Sequence, residues 1–320
     1  MPARNPTLGI GLVVLGASCF VVNAGVSRVA LRHGVDPSML TTLRVTATFA
    51  ILLLVALCFR RTALRPPTGK QLALVVTHGL VGVAALQWTY FVAIDRLPVG
   101  MALLLEYQAP VIVALWAWAV QRQQVKPRLW LGLALALGGL AAATGVWEDA
   151  HVDGIGIVAG FAAAVCFAGY FLIGEAATSR QSADLDPLRV ILWSFGVATI
   201  AINVFTPLWN FETSRLGDQV SLLGSLEGTH VPLWLVLGWV VVLGTVVPFF
   251  AELFALSFVR ATTVTVIAML EPIGVSALGW AWFDESLGPI AITGCAAVVA
   301  GILIAQSARP EHPADAPLIA

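Results

Sequence analysis

The sequence predicts an all-α polytopic membrane protein, ten transmembrane helices built as two inverted five-helix repeats. Three observations carry this. Of 320 residues, 59% are hydrophobic and 11% charged, where soluble domains carry roughly 25% charged residues. Apolar runs of about 20 residues, the length that crosses a bilayer as helix, follow one another along the chain. Finally, LLLEYQAPVIVALWAW in the first half lies against VTVIAMLEPIGVSALGWAW in the second. Aligning Pro110 with Pro272, an offset of 162, also matches Ala93 with Ala255, Trp118 with Trp280 and Pro127 with Pro289.

Apolar runs bounded by charge, Pro or polar clusters place spans at 8–30, 39–59, 72–93, 99–120 and 128–146, then at 154–174, 188–208, 233–256, 261–283 and 288–307. The first run exceeds the apolar core of a signal peptide, about 7–15 residues, and is expected to be a retained span. Most connections are short enough to make neighbouring helices antiparallel. The exception, WNFETSRLGDQVSLLGSLEGTHVP at 209–232, is too polar to insert and is expected to hold a short interfacial helix. The repeats are placed at 1–150 and 151–308, with a cytoplasmic tail at 309–320 that is expected to lack fixed structure.

Charge orients the chain. With ten spans, Arg4, Arg60, Arg61, Arg65, Lys70, Arg122, Lys126, Arg128, Arg180, Arg189, Arg260 and Arg309 fall on the face of the termini, against Arg28, Arg32, Arg96 and Arg215 opposite. The opposite loops hold Glu148, Asp149, Asp153, Glu212, Asp218, Glu227, Asp284 and Glu285. Both termini are therefore expected in the cytoplasm, with the protein in the inner (plasma) membrane.

Five helices per copy is an odd number, so the second copy enters the bilayer from the other side. The starts of the copies agree with this: GIGLVVLGASCF (9–20) resembles GIGIVAGFAAAVCF (154–167), and Asp36-Pro37 resembles Asp186-Pro187. Inverted repeats typify secondary transporters, whose halves exchange shapes around a site near the midplane.

Ionisable groups at membrane depth are costly and by default face a cavity or a partner. Glu106 and Pro110 share a face of the fourth span, while Glu271 adjoins Pro272 in the ninth, one turn from Ala268, the counterpart of Glu106. Each proline removes a hydrogen bond and frees the carbonyl four residues back to line a polar cavity. Glu106 and Glu271 are therefore candidate binding residues beside the kinks of Pro110 and Pro272, and Glu271 is the first choice for proton coupling. Glu252 of the eighth span matches Tyr90 of the third, near Gln87 and Trp88, so Trp88, Tyr90 and Glu252 are further candidates. Arg44, with Thr41 and Thr48 on its face, can snorkel outward or pair with a Glu, and pairing is favoured. Asn23 and Tyr170 are weaker candidates, because single polar residues often only bridge helices.

Other chemistries lack their residues. Cys19, Cys58, Cys166 and Cys295 sit in apolar runs without metal or disulfide spacing. Gly9 and Gly154 begin no dinucleotide fingerprint, Gly69-Lys70 lacks the rest of a phosphate loop, and no HExxH or GxSxG occurs. Of His33, His78, His151, His230 and His312, most lie in loops or near span ends. Gly156/Gly160 and Gly132, Gly138 and Gly139 are expected to let helices approach closely. A net charge of −1 offers no basic field for nucleic acid. No enzyme, metal or cofactor is expected.

The run FALSFVRATTVTVIAMLEPIGVSALGWAWFDESLGPIAITGCAAVVAGILI resembles the second half of EamA-type transporters of the drug/metabolite transporter superfamily, and the resemblance extends over 8–307. It rests on Glu271-Pro272, on Glu285 with Leu287 after the ninth span and on Gly294 with Gly301; the first half adds Leu105-Glu106 through Pro110. The resemblance implies a ten-helix carrier exporting amino acids, metabolites or toxic organic compounds. Gln123 stands where the second copy has Glu285, and Ser194 where the first has Arg44, so site chemistry does not transfer between halves. The expectation is a secondary active transporter, possible proton coupling included, working by alternating access around a cavity lined by the first, third, fourth, sixth, eighth and ninth spans. Arg44 would bind a substrate carboxylate. A facilitative uniporter or a lipid scramblase would share the architecture. Expected partners are a small-molecule solute, membrane lipid and protons, with a homodimer left open.

Overall fold

The computed structural model describes residues 6–97, 99–144, 153–178, 185–284 and 288–307. Ten helical spans are long and apolar enough to cross a membrane: Pro6–Arg32, Pro37–Phe59, Lys70–Tyr90, Met101–Ala119, Pro127–Thr144, Gly154–Thr178, Pro187–Phe205, Leu233–Ala255, Ala261–Phe283 and Pro289–Ser307. Several extend past their apolar runs because capping chemistry, which hydropathy does not read, sets the ends. Asp36 accepts from the Ser38 and Met39 amides at 2.9 and 3.0 Å, with Pro37 in the first turn, and Asp186 accepts from Leu188 at 3.3 Å ahead of Pro187.

The packing obeys the repeat. The first span packs on the eighth and ninth, the sixth on the third and fourth, the second on the seventh and the fifth on the tenth. Exchanging the halves maps each of these relations onto another or onto itself. The fifth and tenth spans show why the glycines matter: a Cβ at Gly132 would lie 2.6 Å from the Gly301 oxygen, and one at Gly139 2.6 Å from the Gly294 oxygen. The offset of 162 turns Gly132 into Gly294 and Gly139 into Gly301, so this backbone-to-backbone seam is its own symmetry mate. Gly138 is not part of it, since nothing lies within 4 Å of its would-be Cβ.

The spans are interrupted at matching depths. The fourth divides into Val99–Glu106 and Ala109–Ala119, the ninth into Ala261–Ala268 and Leu270–Phe283, each with its proline in the first turn of the second piece. The third and eighth carry π-helical turns at His78–Ala85 and Val242–Val246. Within those turns Gly82 backs onto the Tyr170 backbone and Gly244 onto the Asn23 carboxamide. Asn23 and Tyr170 thus occupy equivalent seats in the two halves.

Segment 206–232 differs from the expected interfacial helix. It folds as short 3-10 turns around an antiparallel pair, Gln219–Ser221 with His230–Pro232, because its Gly, Ser and Asp residues favour turns over a continuous amphipathic stripe. It docks on one side of the mouth: Arg215 donates to the His33 carbonyl at 2.6 Å, Trp282 Nε1 to Leu222 at 3.1 Å and Ser225 to Trp282 at 3.1 Å. The cysteines are unpaired, and three of the four are half-buried. The expected tail at 309–320, and Glu285 and Leu287, lie outside the described residues.

Two outcomes follow for stability. Gly139→Ala, measured by thermal unfolding in detergent, should cost about 1–3 kcal/mol through overpacking, whereas Gly138→Ala should stay within about 0.5 kcal/mol. Asp36→Ala should cost about 1 kcal/mol of cap energy. The Ser38 hydroxyl and the Met39 and Ser38 amides hold the Asp36 carboxyl below its ordinary value. A lowered folded-state pKa makes this contribution complete at neutral pH and lost as pH falls through that pKa. The difference between wild type and Asp36→Ala should therefore shrink in strong acid and be flat above the ordinary aspartate range.

Candidate functional site

Buried apolar residues divide unevenly across the membrane. From mid-depth to the face of the chain ends, two clusters join the halves, one through Val13, Leu52, Val113, Phe171, Phe195, Leu253 and Val264 and one through Leu133, Leu140, Val266, Val298 and Ile302. Toward the opposite face two separate clusters stand. Val26, Val29, Leu40, Val236 and Val240 unite the first, second and eighth spans with the docked segment, while Ala93, Ala102 and Ala159 unite the third, fourth and sixth. Between these two, polar side chains collect. Arg44, Gln87, Tyr90, Glu106 and Glu271 are each half-buried.

Their mutual arrangement is specific. Arg44 Nε donates to Thr245 Oγ1 at 3.1 Å, and Thr245, from the π-helical turn of the eighth span, donates on to the Val240 carbonyl at 2.8 Å. The guanidinium lies within Coulombic range of Glu271. Arg44 therefore points inward, into the bundle. Tyr90 feels Arg44, Glu106 and Glu271 together, and Glu106 feels Glu271. Tyr107 O–H, at the interruption of the fourth span, donates to Glu271 Oε2 at 2.9 Å, while its ring packs edge-on to Phe167 with centroids 6.1 Å apart. Glu271 occupies the first turn of Leu270–Phe283, where helix amides present partial positive charge. Glu106 ends Val99–Glu106, among carbonyls. The two acids thus sit at opposite helix ends, Glu271 in a first turn and Glu106 at a last residue.

The structure brings together Arg44, Tyr90, Glu106 and Glu271 of the expected set. The second span, which supplies Arg44, joins the walls expected from the first, third, fourth, sixth, eighth and ninth. Three candidates lie elsewhere. Trp88 is 68% exposed and faces outward, because it sits about 200° around the helix from Tyr90. Tyr170 is buried and spends its O–H on the Phe249 carbonyl at 3.1 Å. Glu252 is also buried, packed against Gly16, and reaches Glu271 only through the field. Pro110 and Pro272 are buried at the two interruptions.

Three participants were not singled out from the sequence. Tyr107 had a usable signal: the chain has only three tyrosines, and all three lie within Coulombic reach of intramembrane carboxylates. Thr245 had none, since an intrahelical threonine is unremarkable. His78 departs from the expectation for most histidines: it is fully buried, with Nδ1 2.9 Å from Ser194 Oγ, its ring 4.8 Å from that of Tyr170 and Nε2 without a hydrogen-bond partner. Among the described residues, no group of His, Cys, Asp and Glu side chains is arranged to hold a metal.

Known proteins bear on this arrangement. The profile of the EamA-like transporter family matches residues 7–145 and 154–306, once per half. The chain is 26% identical to the threonine/homoserine exporter RhtA of Escherichia coli over 69% of its own length and 66% of the exporter's. The alignment thus spans just under two thirds of that relative. It is 27% identical to an uncharacterized transporter of Archaeoglobus fulgidus, covering 93% of this chain and 96% of that one, and 26% identical to the uncharacterized transporter YwfM of Bacillus subtilis over 74% of each. A solved crystal structure superposes with a TM-score of 0.72 at 19% identity, covering 94% of this chain and 97% of the other, which shows a shared fold.

The asymmetric packing predicts asymmetric access. In a variant without the four native cysteines, a cysteine replacing Glu106 or Gln87 should react with a membrane-impermeant maleimide added to the face opposite the chain ends. A cysteine replacing Glu252 should not. Labelling of the Glu106 position only from the face of the chain ends would contradict the assignment of the open side.

Proposed function

The chain belongs to the EamA-like transporter family, and on that premise we propose that it is a secondary active carrier that exports a small zwitterionic metabolite, an amino acid foremost, with Glu271 as the proton-coupling group. It is a multi-pass membrane transporter and not an enzyme. What supports the finer reading is the half-buried cluster of Arg44, Tyr90, Glu106 and Glu271, where the discontinuous spans of two inverted repeats meet.

The chemistry runs as follows. A zwitterion carries a carboxylate and an ammonium a few ångströms apart. Arg44 offers charge-assisted N–H donors to the carboxylate, Glu106 and Glu271 offer acceptors to the ammonium, and Tyr90 presents an aromatic body with one polar end. The name of the Escherichia coli relative, a threonine/homoserine exporter, makes small hydroxylated amino acids the first solutes to try. With the chain ends in the cytoplasm, as the twelve-to-four distribution of basic residues favours, the open face is the outer one. A proton arriving at Glu271 from that side would displace the ammonium from its acceptor. Closing of the outer gap and opening of the cytoplasmic face would then carry the proton inward, where release readies Glu271 for the next solute. Such a cycle exchanges one proton in for one solute out.

Proteoliposomes test this. Radiolabelled threonine or homoserine should accumulate against its gradient when an opposing pH gradient is imposed. Glu271→Gln should abolish that accumulation while leaving the protein folded and inserted, with solute counterflow still measurable at a weakened affinity. Uphill movement unchanged in Glu271→Gln would refute proton coupling at this residue. Counterflow by the wild type without any response to the pH gradient would instead identify a uniporter.

A further inference from the structure

The two interrupted helices belong to different repeats, yet one hydrogen bond joins them at their interruptions. Tyr107 stands at the break of the fourth span and donates to Glu271 Oε2, two residues past the break of the ninth, at 2.9 Å. The symmetry mate of this contact is absent by composition: the offset of 162 puts Met269 in place of Tyr107 and Ala109 in place of Glu271. Neither can hydrogen-bond through its side chain. A pair of identical repeats would leave the two access states balanced, so a polar contact found in only one of the two equivalent places biases the exchange.

Tyr107 is held for this task. Its ring is 3% exposed, packed among Ala114, Leu133, Val266 and Met269 and edge-on to Phe167, so the phenol has little freedom to choose another partner. The charged and titratable groups that face Glu271 are Arg44 from the second span, Tyr90 from the third, Glu106 and Tyr107 from the fourth and Glu252 from the eighth. Of these, Tyr107 donates its O–H directly to the carboxylate. We propose that Tyr107 is a positioning residue for Glu271, whose O–H fixes the carboxylate across the repeat interface and is released when a proton or the solute ammonium engages that carboxylate. Occupancy of Glu271 is thereby transmitted to the contact between the two broken helices. This rests on the reading of Glu271 as the coupling group and adds the element through which it acts.

The test is a double-mutant cycle of Tyr107→Phe and Glu271→Gln in proteoliposomes, reading both pH-driven accumulation and counterflow of threonine or homoserine. Phenylalanine keeps the ring packing and loses only the O–H. The ratio of the two fluxes is independent of how much protein folds. In the wild-type background, Tyr107→Phe should lower that ratio by about tenfold, the fold-change expected on losing a hydrogen bond to a charged group. The Glu271→Gln background has no pH-driven accumulation left to lose, so there the cycle is read on the half-saturating solute concentration in counterflow, which Tyr107→Phe should shift in the wild type and leave unchanged in Glu271→Gln. An unchanged flux ratio in the wild-type background, or an equal shift of the half-saturating concentration in both backgrounds, overturns the proposal, since Tyr107 would then act independently of Glu271. Should the wild type prove to be an uncoupled uniporter, the coupling reading fails on its own. The same cycle read on the half-saturating solute concentration in counterflow then decides the role of Tyr107: non-additive effects support it and additive ones overturn it.

Discussion

Hydrocarbon cannot hydrogen-bond a peptide group, and that single constraint orders this structure. Ten helices satisfy their backbones internally along most of their length. Where Pro110 and Pro272 remove a donor and free a carbonyl, the exposed backbone must be enclosed by protein, and both breaks are: Pro110, Pro272, Tyr107 and Met269 are all buried. The π-helical turns of the third and eighth spans add a second pair of irregular stretches, in the helices next to the broken ones along the chain. Irregular backbone and polar side chains therefore gather in the interior for one reason, and the bundle surface is left to leucine, valine and tryptophan.

Duplication explains the architecture, and departures from duplication explain the site. The seam between the fifth and tenth spans is symmetric down to its glycines, and it packs rigidly at backbone contact. The inner positions are not symmetric. Arg44 bonds Thr245 on one side, whereas its counterpart Ser194 meets His78 on the other. Glu271 has Tyr107 as a donor, and Ala109 needs none. The outer seam thus keeps the symmetry of the duplication, and the inner contacts do not.

Much of the fold was legible because hydropathy and repetition are properties of composition along the chain. The ten spans, their inversion and the kinked pair of helices could be read from apolar runs, two Glu-Pro neighbourhoods and the parity of five. Legibility failed where direction around a helix decides. At 100° per residue, Gln87 and Tyr90 turn inward while Trp88 between them faces out, and no run of letters carries that angle. Tyr170 was legible as a polar residue at membrane depth but not as one seated against Gly82, since that depends on a neighbour 88 positions away. The hairpin at 219–232 was hidden for a different reason: its strands are three residues long and are held by docking on Trp282 and the first connection rather than by their own propensity.

Segment 206–232 is hydrogen-bonded to the connection after the first span through Arg215, to the end of the ninth span through Ser225 and Trp282, to the second span through Thr206 and Thr42 at 2.6 Å and to the seventh through Leu208 and Asn203 at 2.9 Å. The wall built by the third, fourth and sixth spans is tied within itself by Arg96 and Asp153 at 3.6 Å. On the face of the chain ends, too, contacts cross between halves. Arg189 donates to the Arg65 and Pro66 carbonyls at 2.8 and 2.9 Å, Trp193 to Ala63 at 3.1 Å and Arg260 to Gln123 at 2.5 Å. These bonds lie at the membrane surface, where exchanging each for water costs a net of about 1 kcal/mol.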